Sequence, residues 1–72
     1  MFARWLREQR LNAGLTQNEL ANLLGLTHQT INYFESGQRT AGLGALKKIS
    51  EFFNISIYEL RKMMEENSND GN

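Results

Sequence analysis

Apolar residues fall along this chain in short helical registers, separated by polar breaks that contain glycine or asparagine. Phe2, Leu6 and Ala13 share one side of a first segment, with Trp5 beside them, and Asn12-Ala13-Gly14 supplies its stop. Leu20, Ala21 and Leu24 recur at helical spacing in a second segment. Ile31 and Phe34 give a third segment one apolar side. Leu43, Leu46, Ile49, Ser50 and Phe53 form the inward face of a fourth, with Asn54 as a left-handed stop. A fifth starts at Ser56-Ile57-Tyr58-Glu59. The pattern predicts an all-α, five-helix fold, with helices over about 2–12, 17–24, 28–36 and 43–53 and a last one ending near 64. No strand signal and no internal repeat compete with it. Residues 1–64 therefore form one domain, and 65–72, Glu-Glu-Asn-Ser-Asn-Asp-Gly-Asn, are expected as a disordered polar tail.

The helix starts carry caps. Thr16 with Glu19 three residues later has the form of a capping box, and so does Ser56 with Glu59. Thr27 can cap the third helix. Leu15 with Leu20, Leu26 with Ile31 and Ile55 with Leu60 are spaced as hydrophobic staples across those caps. Gly25 can end the second helix in a left-handed conformation without a Cβ penalty. Only Leu26 then separates Gly25 from Thr27, so the second and third helices must cross steeply and closely. Ala21 is the small residue that such a crossing needs, and Ile31 is placed to fill the angle. Two helices joined in this way present the outer face of the second one, here residues 28–36, to the major groove of DNA.

Composition narrows the function classes. A chain of 72 residues supports one domain with a modest core. With no cysteine and one histidine, neither a disulfide nor a metal site is expected. No apolar run approaches the ~20 residues of a membrane span, and the N-terminal residues lack a signal-peptide core. The expectation is a cytoplasmic protein with no membrane partner. There is no nucleophile–base pair and no phosphate-binding glycine loop, so neither an enzyme nor a cofactor is implied. No sensor segment is visible, so no small-molecule effector is implied. Net charge is zero, yet residues 1–48 hold six cations and three anions, and residues 49–72 hold two cations and five anions. The basic part coincides with the helix-turn-helix, which suggests an oriented, anionic partner.

The outer face can be read at 100° per residue. Ile31 and Phe34 point inward; Gln29, Asn32, Tyr33 and Ser36 fall opposite, with His28 at the N-terminal edge. Gln29 and Asn32 suit bidentate pairing with adenine, Tyr33 a thymine methyl or a phosphate, and His28 a guanine or a phosphate. Gln17, at the first position of the second helix, sets an amide beside unpaired helix N–H groups, a cradle for phosphate. Thr16, Asn18 and Thr27 are further backbone-contact candidates, with capping as the first role of the two threonines. Ser36, Gln38, Arg39 and Thr40 follow into a loop expected to face phosphate. Arg4, Arg7, Lys47 and Lys48 read as solvated charges. Trp5, Met63 and Met64 read as core or interhelical seam. Adjacent Phe52 and Phe53 cannot both face one core. Phe52, with Tyr58 and Arg61, is therefore the candidate dimer contact at the corner of the fourth and fifth helices.

The chain resembles the Cro/phage-repressor, or XRE-like, family of helix-turn-helix domains. The resemblance runs from residue 4 to about 62. It is carried by Leu-Arg-Glu-Gln-Arg, Gly14-Leu15-Thr16-Gln17, Glu19-Leu20-Ala21, Leu24-Gly25-Leu26, Thr30-Ile31, Phe34-Glu35, Gly37, Phe53-Asn54-Ile55-Ser56 and Glu59-Leu60. It implies a sequence-specific transcriptional regulator, repressor-like, that docks on a palindromic double-stranded operator as a weak homodimer. It implies that Gln17 touches the DNA backbone and orients the recognition helix. It also implies a partly buried structural pair of Arg10 with Glu35. The family often has a proline after the recognition helix, then Ser and Glu at the start of the fourth. Here the stretch reads Thr40-Ala41-Gly42-Leu43-Gly44. Two other readings share the pattern: an antitoxin that binds a toxin and autoregulates its operon, and a protein-interaction domain that has lost DNA binding.

Overall fold

Hydroxyl caps set the starts of three helices. Thr16 Oγ1 accepts the Glu19 N–H at 3.0 Å, and Glu19 Oε1 accepts the Thr16 N–H at 2.9 Å, so the box is reciprocal. Thr27 Oγ1 accepts the Thr30 N–H at 3.2 Å, and Ser56 Oγ accepts the Glu59 N–H at 3.0 Å. The computed structural model describes residues 1–69, with side chains through residue 66. It contains α1 (Phe2–Asn12), α2 (Gln17–Leu24), α3 (His28–Ser36), α4 (Leu43–Phe53) and α5 (Ile57–Asn69), with no strand among the described residues.

The turn between α2 and α3 is as tight as its sequence. Gly25 takes φ 70°, a left-handed value that would strain a residue with a Cβ. Leu26 then donates its N–H back to the Ala21 carbonyl at 2.8 Å. Ala21 and Ile31 are both buried where the two helices meet. Asn54, at φ 55°, makes the same left-handed stop after α4; it is the one non-glycine residue with positive φ among those described.

The core gathers one face of every helix. Leu6, Leu20, Ile31, Leu46, Ile49 and Leu60 are its fully buried members. Phe2 meets Phe34 edge-on at 6.1 Å between centroids, joining α1 to α3. Trp5 meets Phe53 edge-on at 5.6 Å, joining α1 to α4. Leu15, Leu26 and Ile55, the outer members of the staples, are half-buried against this core. α3 lies against both α2 and α1, while α4 lies against α2 and α5, and α5 reaches α1. α3 is thus held from two sides, and its angle depends on both. No helix among the described residues is long and apolar enough to cross a membrane.

Three expectations need correction. Ala13 is exposed, because α1 ends at Asn12 and its third inward position belongs to Arg10, in register with Phe2 and Leu6. Leu43 is exposed at the first position of α4; the buried apolar residue at that end is Ala41, in the preceding loop. α5 continues to Asn69, past the end expected near residue 64. Extending an existing helix needs no new nucleus, and no glycine or proline interrupts it before Gly71. The remainder of the expected tail, residues 70–72, lies outside the described residues.

Candidate nucleic-acid interface

The outer face of α3 is organised from behind by one ion pair. Arg10 Nε donates to Glu35 Oε2 at 2.7 Å, and Arg10 Nη2 donates to Glu35 Oε1 at 3.0 Å. The two side chains are 10% and 4% exposed, so this bidentate pair lies almost wholly out of water. Arg10 Nη1 donates to the Leu15 carbonyl at 2.8 Å, which ties the loop after α1 into the same cluster. The Glu35 hydrogen bonds hold the Arg10 pKa above the usual arginine value, outweighing the opposing effect of burial.

Gln17 extends the cluster outward. Its Nε2 donates to Glu35 Oε1 at 3.1 Å. Its Oε1 lies 3.0 Å from His28 Nε2 and accepts from Asn32 Nδ2 at 3.4 Å. An unbroken chain of hydrogen bonds therefore runs from α1 through α3 and α2 to two exposed residues of the outer face, His28 and Asn32. A second cluster lies on the same helix. Gln29 Nε2 donates to Tyr33 Oη at 2.7 Å, and the Arg39 guanidinium stands 5.0 Å over the Tyr33 ring. His28, Gln29 and Asn32 are exposed and Tyr33 is half-buried, so the four base-contact candidates share one surface. Hydrogen-bonded partners of this kind hold a side chain in one geometry before any ligand arrives.

The backbone-contact candidates divide into two groups. The Thr16 and Thr27 hydroxyls are engaged in their caps, and Thr27 Oγ1 also pairs with Thr30 Oγ1 at 2.8 Å. The capping box uses the N–H groups of Thr16 and Glu19. Those of Gln17 and Asn18, in the first turn, have no partner within the helix and suit an anion. Ser36 Oγ donates to the Tyr33 carbonyl of its own helix. The N–H groups of Gln38 and Arg39 both turn back to the Tyr33 carbonyl, at 3.0 and 3.3 Å. From those two residues only side chains remain to reach a phosphate; Gln38, Arg39 and Thr40 are all exposed.

One residue read as a solvated charge belongs here. Arg7 lines a shallow polar cleft with Arg10, Gln17, Asn32, Glu35 and Ser36. The available signal was its spacing of three from Arg10, which sets both on one side of α1. The dimer candidates are not brought into one groove. Arg61 lines a groove with Leu43, Leu46 and Met64, whereas Phe52 lines another with Leu23, Leu24, Lys48 and Glu51. Tyr58 is the most exposed large apolar residue, at 70%. No group of His, Asp and Glu side chains able to hold a metal ion occurs among the described residues.

Comparison with known proteins agrees with this geometry. A helix-turn-helix family model matches residues 6–60. The transcriptional repressor RstR of a cryptic CTXphi phage of Vibrio cholerae is 31% identical over 67 residues, which span 93% of this chain and 60% of that protein. An uncharacterised helix-turn-helix transcriptional regulator of Archaeoglobus fulgidus is 38% identical over 55 residues, 76% of this chain and 79% of that one. The chain spans 29% of a third relative, the transcriptional activator BcrR of Enterococcus faecalis, at 37% identity. Among solved structures, the restriction-modification controller protein C.AhdI of Aeromonas hydrophila superposes with a TM-score of 0.71 at 37% identity, covering 82% of this chain and 89% of that one. The five-helix fold, the capped turn and a family match over most of the chain make this protein a member of the Cro/phage-repressor (XRE-like) family of helix-turn-helix domains.

Proposed function

We propose that this chain is a sequence-specific transcriptional regulator, repressor-like, that inserts α3 into the major groove of double-stranded DNA. The observation that carries the reading is the outer face of α3. Three exposed amide and imidazole side chains, His28, Gln29 and Asn32, stand on a helix whose back is tied to α1 and α2 through Arg10, Glu35 and Gln17. Such a face can present hydrogen bonds to base edges without first having to order itself. Gln17, Asn18, Arg7, Arg39 and Thr40 surround it as phosphate contacts. These position the helix and carry the salt dependence.

Selection of bound sequences from genomic DNA tests this directly. On the selected site, Gln29→Ala is expected to cost about 1–3 kcal/mol and to relax discrimination at one position. Gln17→Ala should weaken specific and random duplexes more evenly. Equal losses on both kinds of duplex from both substitutions would show that the groove face lies elsewhere. Duplex binding indifferent to salt would favour the protein-interaction reading.

One recognition helix covers too few base pairs to select a site in a genome. The proposal therefore includes a two-fold dimer on a palindrome, with half-site centres about 34–36 Å apart. The contact uses the α4–α5 corner, where Phe52, Tyr58 and Arg61 are exposed. The patch is small, so the dimer is weak away from DNA. Tyr58→Asp should abolish cooperative binding to a full palindrome and leave half-site binding nearly intact in mobility-shift titrations. Equal losses on half and full sites, with the fold retained, would move the contact to another face.

A further inference from the structure

Tyr33 is the point where the loop after α3 folds back onto the helix. Gly37 ends α3 at φ 79°, a left-handed value, and turns the chain toward the preceding turn. The Gln38 and Arg39 N–H groups then donate to the Tyr33 carbonyl at 3.0 and 3.3 Å, and the Ser36 hydroxyl donates to the same oxygen at 3.2 Å. Three donors on one carbonyl fix where Arg39 leaves the helix, and its guanidinium comes to rest 5.0 Å over the Tyr33 ring. At the far end of the ring, Tyr33 Oη accepts from Gln29 Nε2 at 2.7 Å, one turn earlier on α3. Loop, ring and amide thus form one chain of contacts, Arg39 to Tyr33 to Gln29. It runs beside the network of Arg10, Glu35 and Gln17 and uses none of its residues.

Exposure divides the roles. Gln29 is exposed at the second position of α3, near the N-terminal end that enters a groove. Tyr33 is half-buried and one turn, roughly 5.4 Å, further from that end. Its hydroxyl is already met by Gln29 and its ring by a guanidinium. Resting on the regulator reading above, we propose that Tyr33 is a positioning residue: it holds Gln29 for base reading, and Arg39 holds Tyr33. Discrimination at the base pair that Gln29 meets therefore depends on a loop residue that touches no base. Gln29 Nε2 carries two hydrogens and gives one to Tyr33, so its second hydrogen and Oε1 remain for adenine. A free glutamine side chain gives up rotamer freedom when it docks; held by a phenol, it has given up part of it beforehand. Attraction between a guanidinium and a ring face needs only the charge near the ring, so Arg39 keeps N–H donors for a phosphate. A backbone contact made there bears on the ring, and through it on the amide that reads the base.

Competition titrations of the full chain test this on its selected site and on the same site with one base pair exchanged, at the pair where Gln29→Ala relaxes discrimination. Tyr33→Phe keeps the ring and removes only the hydroxyl. It should lower discrimination at that pair by roughly three- to tenfold, the measure of one hydrogen bond. Added to Gln29→Ala, it should lower it no further. Arg39→Gln should weaken every duplex, as a lost phosphate contact does, and in addition lower discrimination at the same pair by about two- to fivefold. In a Tyr33→Leu background only the even loss should remain. A loss at a different base pair in Tyr33→Phe makes the phenol itself a reader and overturns the proposal. So does an even loss from Arg39→Gln in the wild-type background, which leaves Arg39 a phosphate contact alone. Side-chain amide 15N relaxation of the protein without DNA gives a separate readout. The Gln29 amide should be ordered, and should become mobile in both Tyr33→Phe and Arg39→Gln; an amide equally mobile in all three overturns the proposal. No enriched duplex, with the Gln29 amide ordered, overturns the regulator reading and this role with it. An enriched site on which Tyr33→Phe and Gln29→Ala act independently overturns this proposal alone.

Discussion

Arg10→Met is expected to destabilise the domain by about 3 kcal/mol or more in urea unfolding, because it leaves a carboxylate out of water without its cation. Glu35 would keep one donor, Gln17 Nε2, and the Leu15 carbonyl would lose its guanidinium. Glu35→Gln should cost less. Arg10 retains the Leu15 carbonyl, and the new amide oxygen can still accept from it. The double variant should cost less than the sum of the two single losses. Strictly additive losses would mean that the pair contributes nothing as a pair. The pH dependence has a definite sign. Arg10 has its folded pKa raised, so its contribution is complete below the unfolded arginine value and is lost only as pH climbs through the folded one. Both values lie far into alkali, so Arg10 titration leaves the cost of Arg10→Met unchanged between roughly pH 6 and 9. Added salt should also change it little, since screening is weak for a pair out of water.

Ile31→Ala should be of similar size, about 2–5 kcal/mol, for a different reason. Ile31 is fully buried at the crossing of α2 and α3, and the turn around Gly25 leaves the helices little freedom to close on a gap. A domain of this length has a total stability of roughly 4–11 kcal/mol. The substitution could therefore remove half of it. Ile31→Val, which deletes one methylene, should cost only about 0.5–1.5 kcal/mol and leave a folded protein for binding assays. Its DNA affinity should fall further than its stability implies if Ile31 also sets the angle of α3, the helix proposed to enter the groove. A loss under about 1 kcal/mol for Ile31→Ala would show that the two helices collapse onto the space and that the crossing is less constrained than its geometry suggests.

The boundaries of the fold were legible because they are local. Thr16 with Glu19, Thr27 with Thr30 and Ser56 with Glu59 act over three residues, and Gly25 and Asn54 act through their own backbone angles. Contacts at that range depend on residue type and spacing alone, so the starts of α2, α3 and α5 and the left-handed stops stood where the pattern put them. The inward face of α1 was misread at Ala13 because a charged residue, Arg10, took its place in the register. Hydropathy cannot foresee a buried arginine; only its partner can, and Glu35 stands twenty-five residues away. The same limit applied to Leu43 and Ala41, whose burial depends on where the loop before α4 lies against the core.

The sequence by itself determined an all-α chain with a capped, steeply crossed helix pair and an uncharged polar face on the second member. Periodicity, caps and one small residue are enough to specify those features, since each is a property of a few neighbouring residues. The tertiary structure alone decided how that face is held. The hydrogen bonds among Arg10, Glu35, Gln17, His28 and Asn32 join residues 11 to 25 positions apart, and they form only once three helices have taken up their crossing angles. Their directions then follow from chemistry. A buried guanidinium makes Glu35 an acceptor, Glu35 turns the Gln17 amide, and the amide oxygen places the proton on His28 Nε2.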